Sequence, residues 1–240
     1  MSRVAVVTGG TRGIGEAICL RLKDKGYTVA ATYAGNDDAA NAFSEKNGIA
    51  VYKFDVSDFD ACKAGIEKIE AELGPVDVLV NNAGITRDGT MHKMNFERWN
   101  EVIQTNLTSC FNMCRCVIDG MRERNFGRIV NIGSVNGRAG QYGQVNYAAA
   151  KSGIHGFTKA LALEGAKKNI TVNAIAPGYV LTDMVRKVPQ EILDKIIATI
   201  PVGRLGDPDD IARSVQFLVE DDAGFITGAT LDINGGQHMY

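Results

Sequence analysis

The runs Val4–Val7, Val76–Val80 and Ile129–Ile132 are apolar at every position rather than at every second one. A strand wetted on one face alternates, so an unbroken apolar run needs cover on both faces. Helical patterns separate such runs along the chain. Strands are expected at Val4–Thr8, Thr28–Tyr33, Ala50–Phe54, Val76–Val80, Arg128–Ile132, Ile170–Ala174 and Ala229–Ile233. Helices are expected at Gly13–Lys25, Asp37–Lys46, Asp60–Leu73, Phe96–Met121, Val145–Lys168 and Asp209–Leu218. This alternation predicts an α/β fold, a doubly wound parallel sheet with helices on both faces, in a single domain over residues 1–240. Residues 178–206 hold no strand and only weak helical signal, and read as a lid over a binding site.

Net charge is −2, so no bulk positive field draws nucleic acid or an anionic membrane surface. No apolar run reaches the ~20 residues of a membrane span, and the first run is too short for a secretory signal. Five cysteines, an odd count without a signal segment, point to free thiols and a cytoplasmic setting. Cys110, Cys114 and Cys116 are close enough to raise a metal site. Their segment reads as helix, however, and no nearby His or fourth Cys completes a zinc set. Core or interface thiols are the better reading, and no metal is expected.

Thr8-Gly9-Gly10-Thr11-Arg12-Gly13-Ile14-Gly15 leaves the first strand and opens the first helix. Glycines let the chain turn tightly, let backbone approach a pyrophosphate, and let helix and strand pack closely. The helix start then offers free N–H groups to the anion. The spacing is T-G-x-x-x-G-x-G rather than G-x-G-x-x-G. Sites that prefer NAD carry an acid at the end of the second strand for the ribose 2′-hydroxyl. Here that strand ends at Tyr33 with no acid, and Asp37 and Asp38 come later. That favours NADP, with Arg12 able to pair with its 2′-phosphate. Against it, no Lys or Arg occurs between residues 26 and 45. Asp55, after the third strand, suits adenine or a turn cap.

Tyr147 and Lys151 stand at i and i+4, on one helix face. A nearby ammonium favours a phenolate, which makes the tyrosine a usable proton donor to an alkoxide formed by hydride transfer, and a base in reverse. Alone the pair also fits an ordinary exposed helix face. Ser134 lies just past the apolar strand Arg128–Ile132, at the strand end where open α/β sheets bind ligands. Its hydroxyl can hold a substrate carbonyl. Asn106, a poor helix former at a position that reads as buried, is expected to break its helix locally or to hold a water that relays protons to Lys151.

Taken together, Thr8–Gly15, Asp55, Asn81-Asn82-Ala83-Gly84, Asn106, Ser134, Tyr147, Lys151, Pro177-Gly178 and Thr182 resemble the short-chain dehydrogenase/reductase family over essentially the whole chain. The resemblance implies a Rossmann-type sheet, a Ser134/Tyr147/Lys151 set assisted by Asn106, and a homotetramer. It implies a nicotinamide cofactor, NADPH before NADH, along Gly9, Arg12, Gly13, Ile14, Gly15, Tyr33, Asp55, Val56, Asn82, Ala83, Gly84 and Ile85. Tyr147, Lys151, Pro177, Gly178, Val180 and Thr182 complete that lining. The stretch Ser134–Tyr147, S-V-N-G-R-A-G-Q-Y-G-Q-V-N-Y, resembles the branch that reduces 3-ketoacyl thioesters on coenzyme A, whose relatives act on acyl-carrier-protein thioesters. In that branch Asp88, Ser134, Gln141, Tyr142, Gln144 and Tyr179 line the substrate. Gln141 and Gln144 read equally as solvated loop amides.

Overall fold

The structure, a computed structural model, describes residues 2–182, 185 and 188–239. Seven strands form one parallel sheet: β1 (Val4–Val7), β2 (Thr28–Tyr33), β3 (Ala50–Lys53), β4 (Val76–Asn81), β5 (Gly127–Ile132), β6 (Ile170–Pro177) and β7 (Thr230–Ile233). Their spatial order is β3-β2-β1-β4-β5-β6-β7. The expected strands agree with these to within three residues at each end.

The unbroken apolar runs divide their side chains between two layers. From β1, Ala5 and Val7 face one cluster and Val6 the other. From β5, Val130 and Ile132 face the first and Ile129 the second. In β4 the assignment slips, with Val76 and Leu79 in one layer and Val78 and Val80 in the other. A register irregularity between Val4 and Ala5 accompanies that slip. The first layer is closed by Ile18, Cys19 and Leu22 of helix α1 (Gly13–Asp24) and by Ile211, Val215 and Leu218 of a C-terminal helix, Pro208–Val219. The second is closed by α3 (Phe59–Leu73), which follows α2 (Asp37–Asn47), and by the helix Ser109–Arg124. Each of these fully buried aliphatic side chains is worth roughly 1.5–3 kcal/mol, which favours helices on both faces.

The expected single helix Phe96–Met121 is instead three pieces: α4 (Phe96–Ile103), a π turn (Gln104–Thr108) and α5 (Ser109–Arg124). A short helix α6 (Val135–Ala139) precedes α7 (Val145–Gly165), which ends in a 3₁₀ turn, Ala166–Lys168. The expected lid contains a regular helix, α8 (Gln190–Ala198), before α9 (Pro208–Val219). Residues 183, 184, 186 and 187 of that lid lie outside the described residues. No helix among the described residues is long and apolar enough to cross a membrane.

Candidate active site

All strands run parallel, so their C-terminal ends gather on one edge. Strand order reverses between β1 and β4, and this is the switch point where open sheets bind ligands. The loops after β1 and β4 are tied together there. Thr8 Oγ1 accepts from Asn82 N at 2.9 Å and Ala83 N at 3.0 Å. Asn82 Nδ2 donates back to the carbonyls of Thr8 and Gly9, at 2.9 and 3.2 Å. The glycines are required by what surrounds them. A Cβ on Gly15 would stand 2.1 Å from Gly9 O, and one on Gly10 would stand 2.8 Å from Ala31 Cβ. Gly9 and Gly13 have φ of 61° and 56°, which side chains disfavour. No side chain caps the start of α1, where Arg12 is the exposed N-cap residue. A backbone-lined concavity at an uncapped helix start fits a dinucleotide pyrophosphate.

The other expected nucleotide contacts follow the same edge. Gly13 sits 3.4 Å, measured from its would-be Cβ, from Thr182 Cγ2, so the segment after β6 meets the glycine turn. That segment is fixed by Gly178 N to Ile233 O at 3.0 Å and Leu181 N to Gly206 O at 2.8 Å. Val180 is buried, and Tyr179 is partly exposed. Asp55 Oδ1 accepts from Ser57 N and Oγ at 2.8 and 2.7 Å, so it caps a turn, while Asp58 caps α3. Val56 is buried.

β2 ends at Tyr33 without an acid, as expected, and Asp37 opens α2; the fold then brings a base from β3 beside it. Strand register sets Lys53 opposite Tyr33, and Lys53 Nζ donates to Asp37 Oδ2 at 2.8 Å. Hydrogen bonds from Lys53 and then Tyr33 hold the Asp37 carboxyl below its ordinary value. Lys53 lies outside residues 26–45 and reaches this place from a different strand.

Tyr147 and Lys151 share one face of α7 as expected. Lys151 is 4% exposed. Its Nζ donates to Ile132 O at 2.7 Å and lies 5.7 Å from the centroid of the Tyr147 ring. Ser134 is the N-cap of α6 and its Oγ accepts from Asn136 N at 3.1 Å. Helix α6 packs closely on α7: a Cβ on Gly137 would be 2.7 Å from the Lys151 carbonyl carbon. Ser134 and the Tyr147 helix are thereby held together. Asn106 lies in the π turn, so the helix does break locally. Its side chain grips the neighbouring loop. Oδ1 accepts from Ile85 N at 2.8 Å and Nδ2 donates to Ile85 O at 2.9 Å. The grip pins the loop after β4, and a Cβ on Gly84 would lie 3.3 Å from Asn106 Oδ1 and 3.7 Å from Lys151 Nζ.

Beside this set runs a relay of amides. Gln144 Nε2 donates to Asp88 Oδ2, and Asn136 Nδ2 donates to Gln144 Oε1, both at 2.9 Å. Gln144 is therefore bound rather than loose, whereas Gln141 and Tyr142 are exposed. Asn136 and Asn146 were not singled out from sequence. Asn146 is fully buried; its Nδ2 donates to the carbonyls of Arg87 and Arg98 and its Oδ1 accepts from Tyr147 N. An amide directly before the tyrosine was the available signal. The cysteines are free, and burial pushes the Cys110 thiol up to about 11 and Cys114 higher still, so both stay protonated at neutral pH.

A family model described as short chain dehydrogenase matches residues 3–193. The chain is 65% identical over 238 residues to a protein named acetoacetyl-CoA reductase from Shinella zoogloeoides, covering 99% of each chain. It is 64% identical over 240 residues to one of the same name from Rhizobium meliloti, covering all of both. It is also 45% identical over 239 residues to a 3-oxoacyl-(acyl-carrier-protein) reductase from Haemophilus influenzae, covering 99% of this chain and 98% of that one.

Proposed function

Since this chain belongs to the short-chain dehydrogenase family, and so to the oxidoreductases, we propose that it reduces the 3-keto group of acetoacetyl-CoA to the (R)-3-hydroxyacyl thioester with NADPH. The observation that carries this is identity above 60% over whole chains with proteins named for that activity. The bound Asp88–Gln144–Asn136 relay supports a thioester substrate, because it presents fixed polar groups next to Tyr147.

When bound, the reduced nicotinamide supplies the hydride. Ser134 Oγ–H holds the keto oxygen, and Tyr147 O–H gives its proton to that oxygen as negative charge develops. Lys151, a buried cation anchored on Ile132 O, favours the phenolate that Tyr147 becomes. Asn106 keeps Ile85 and Gly84 against this pair. The glycine turn would take the pyrophosphate, Arg12 the 2′-phosphate, and Gly178, Val180 and Thr182 the nicotinamide end. Tyr179 lines the acyl region.

The 45% identity to an acyl-carrier-protein reductase favours a second reading, in which the carrier is that protein rather than coenzyme A. Steady-state rates on acetoacetyl-CoA and acetoacetyl-ACP decide between them. Higher kcat/KM on the CoA thioester is expected, and a large preference for the ACP thioester overturns it. We place the enzyme in the cytoplasm, where five unpaired thiols stay reduced. We also assign it a homotetramer, supported by a groove that includes Phe111, Ile118, Phe157 and Leu161 between α5 and α7.

A further inference from the structure

Helix α6 has five residues, too few to recover the cost of nucleating a helix. Its position is set by what grips it from outside. At its start Ser134 Oγ accepts from Asn136 N, so the direction of the hydroxyl follows the helix. That bond uses Ser134 as an acceptor and leaves its O–H to donate. On one side Gly137 lies against Lys151, and Ser152 Oγ donates to Gly137 O. On another, Asn136 Nδ2 donates to Gln144 Oε1. A further tether comes from the sheet edge, where Arg138 Nη2 donates to Asp232 Oδ2 at 3.1 Å. Both side chains are largely buried, at 14% and 19% exposed, so salt screens this pair little.

Asp232 belongs to β7, and side chains alternate between the faces of a strand. Leu231 and Ile233 pack on the first core layer, while Thr230 and Asp232 take the opposite face. Thr230 Oγ1 lies 3.2 Å from Nδ1 of His155 on α7. One polar face of one strand thus holds both helices of the site, α6 through Arg138 and α7 through His155. We propose that Arg138 and Asp232 are positioning residues for the reduction: their ion pair fixes α6 against β7 and so aims the Ser134 hydroxyl at the keto oxygen that Tyr147 protonates. This rests on the ketoreductase reading above. Without the pair, α6 pivots about its Gly137 contact, and the bond from Ser134 to the keto oxygen weakens while the coenzyme site stays intact.

The test is steady-state kinetics on acetoacetyl-CoA with NADPH, with coenzyme binding read by NADPH fluorescence and with thermal melts alongside. Arg138→Met should lower kcat roughly tenfold to a hundredfold and leave NADPH affinity within about twofold. It also strands the Asp232 carboxylate and should melt early. The double variant Arg138→Met/Asp232→Leu removes both charges and should melt nearer the wild type while kcat stays low, which separates aim from stability. On a Ser134→Ala background, Arg138→Met should lower kcat by less than about twofold more, because the group it aims is gone. Wild-type kcat in Arg138→Met or in the double variant, a parallel loss of NADPH affinity, or a loss that multiplies fully with that of Ser134→Ala overturns the proposal and leaves the ketoreductase reading standing. A wild type that reduces neither acetoacetyl-CoA nor acetoacetyl-ACP overturns that reading, and the proposal with it.

Discussion

Asn106 holds Ile85 by both its N–H and its carbonyl, with one amide side chain, at 2.8 and 2.9 Å. The side chain thus substitutes for a strand partner, and it does so from inside a π turn. Asn106→Ala leaves the Ile85 N–H and C=O unpaired in a half-buried loop. It should cost about 1–3 kcal/mol in denaturant melts and lower kcat as well, since Gly84 and Lys151 lose their spacing. An unchanged melt would show the grip to be dispensable.

Tyr147→Phe removes one hydroxyl and keeps the ring beside Lys151. Turnover should fall roughly a hundredfold to ten-thousandfold while NADPH affinity stays nearly as it was. Rates close to wild type would remove Tyr147 from the proton step.

The glycine turn makes a sharp comparison. Gly15→Ala places a methyl 2.1 Å from Gly9 O and should abolish coenzyme binding and lower the melting temperature by several degrees, about 1–3 kcal/mol of overpacking. Gly35→Ala meets nothing within 4 Å and has no positive φ, so its melt should stay within about 0.5 kcal/mol of wild type. If the two variants melt alike, the crowding at Gly15 is not what fixes the turn.

His155 is 8% exposed, with Nδ1 3.2 Å from Thr230 Oγ1. Burial first, then the nearby Arg138 cation, lowers its pKa from the ordinary 6.5; Lys159 and Lys151 add to this and Asp232 opposes it. In the unfolded chain it takes a proton near 6.5, whereas in the fold it resists. Stability should therefore fall as pH drops below about 6.5, well above the range where Asp210 and Asp221, held below 3.8 by Arg204 and Arg3, titrate. Melts of His155→Gln from pH 7.5 to 5 should show a shallower slope than wild type. An equal slope would assign the dependence to other groups.

Phe111 is 53% exposed and stacks on Phe59, with ring centroids 6.4 Å apart, at the mouth of the groove between α5 and α7. Phe111→Glu should lower the mass seen by light scattering, because a charge at an apolar interface is costly. Phe225→Glu, on a fully exposed side chain outside that groove, is the control. Identical masses for both variants would move the assembly contact elsewhere.

The sheet was legible because its central strands carry their burial in their composition: nothing but two-sided cover accounts for Val4–Val7 or Ile129–Ile132. The Tyr147–Lys151 pair was legible because helical spacing alone puts both on one face. A local break at Asn106 was legible from a poor helix former at a buried position, but its π form was not, since a π turn keeps nearly helical backbone angles and leaves the residue pattern of the long segment almost intact. Helix α8 was obscured by its short length and by the prolines at 177, 189, 201 and 208 around it. Lys53 was missed for a different reason. Its importance lies in which residue faces it across a parallel ladder, and register is a property of pairs of segments.

The bonds from Thr8 to Asn82 join positions 74 residues apart. A chain still on the ribosome that has emerged only as far as β3 carries the whole glycine turn and the Gly10 N to Thr32 O bond, but lacks the Asn82 side of the cradle. Closing so distant a contact is slow and comes after local helices form. The nucleotide cradle is therefore a late product of synthesis, and coenzyme present in the cell can stabilise this protein only once its fourth strand has docked.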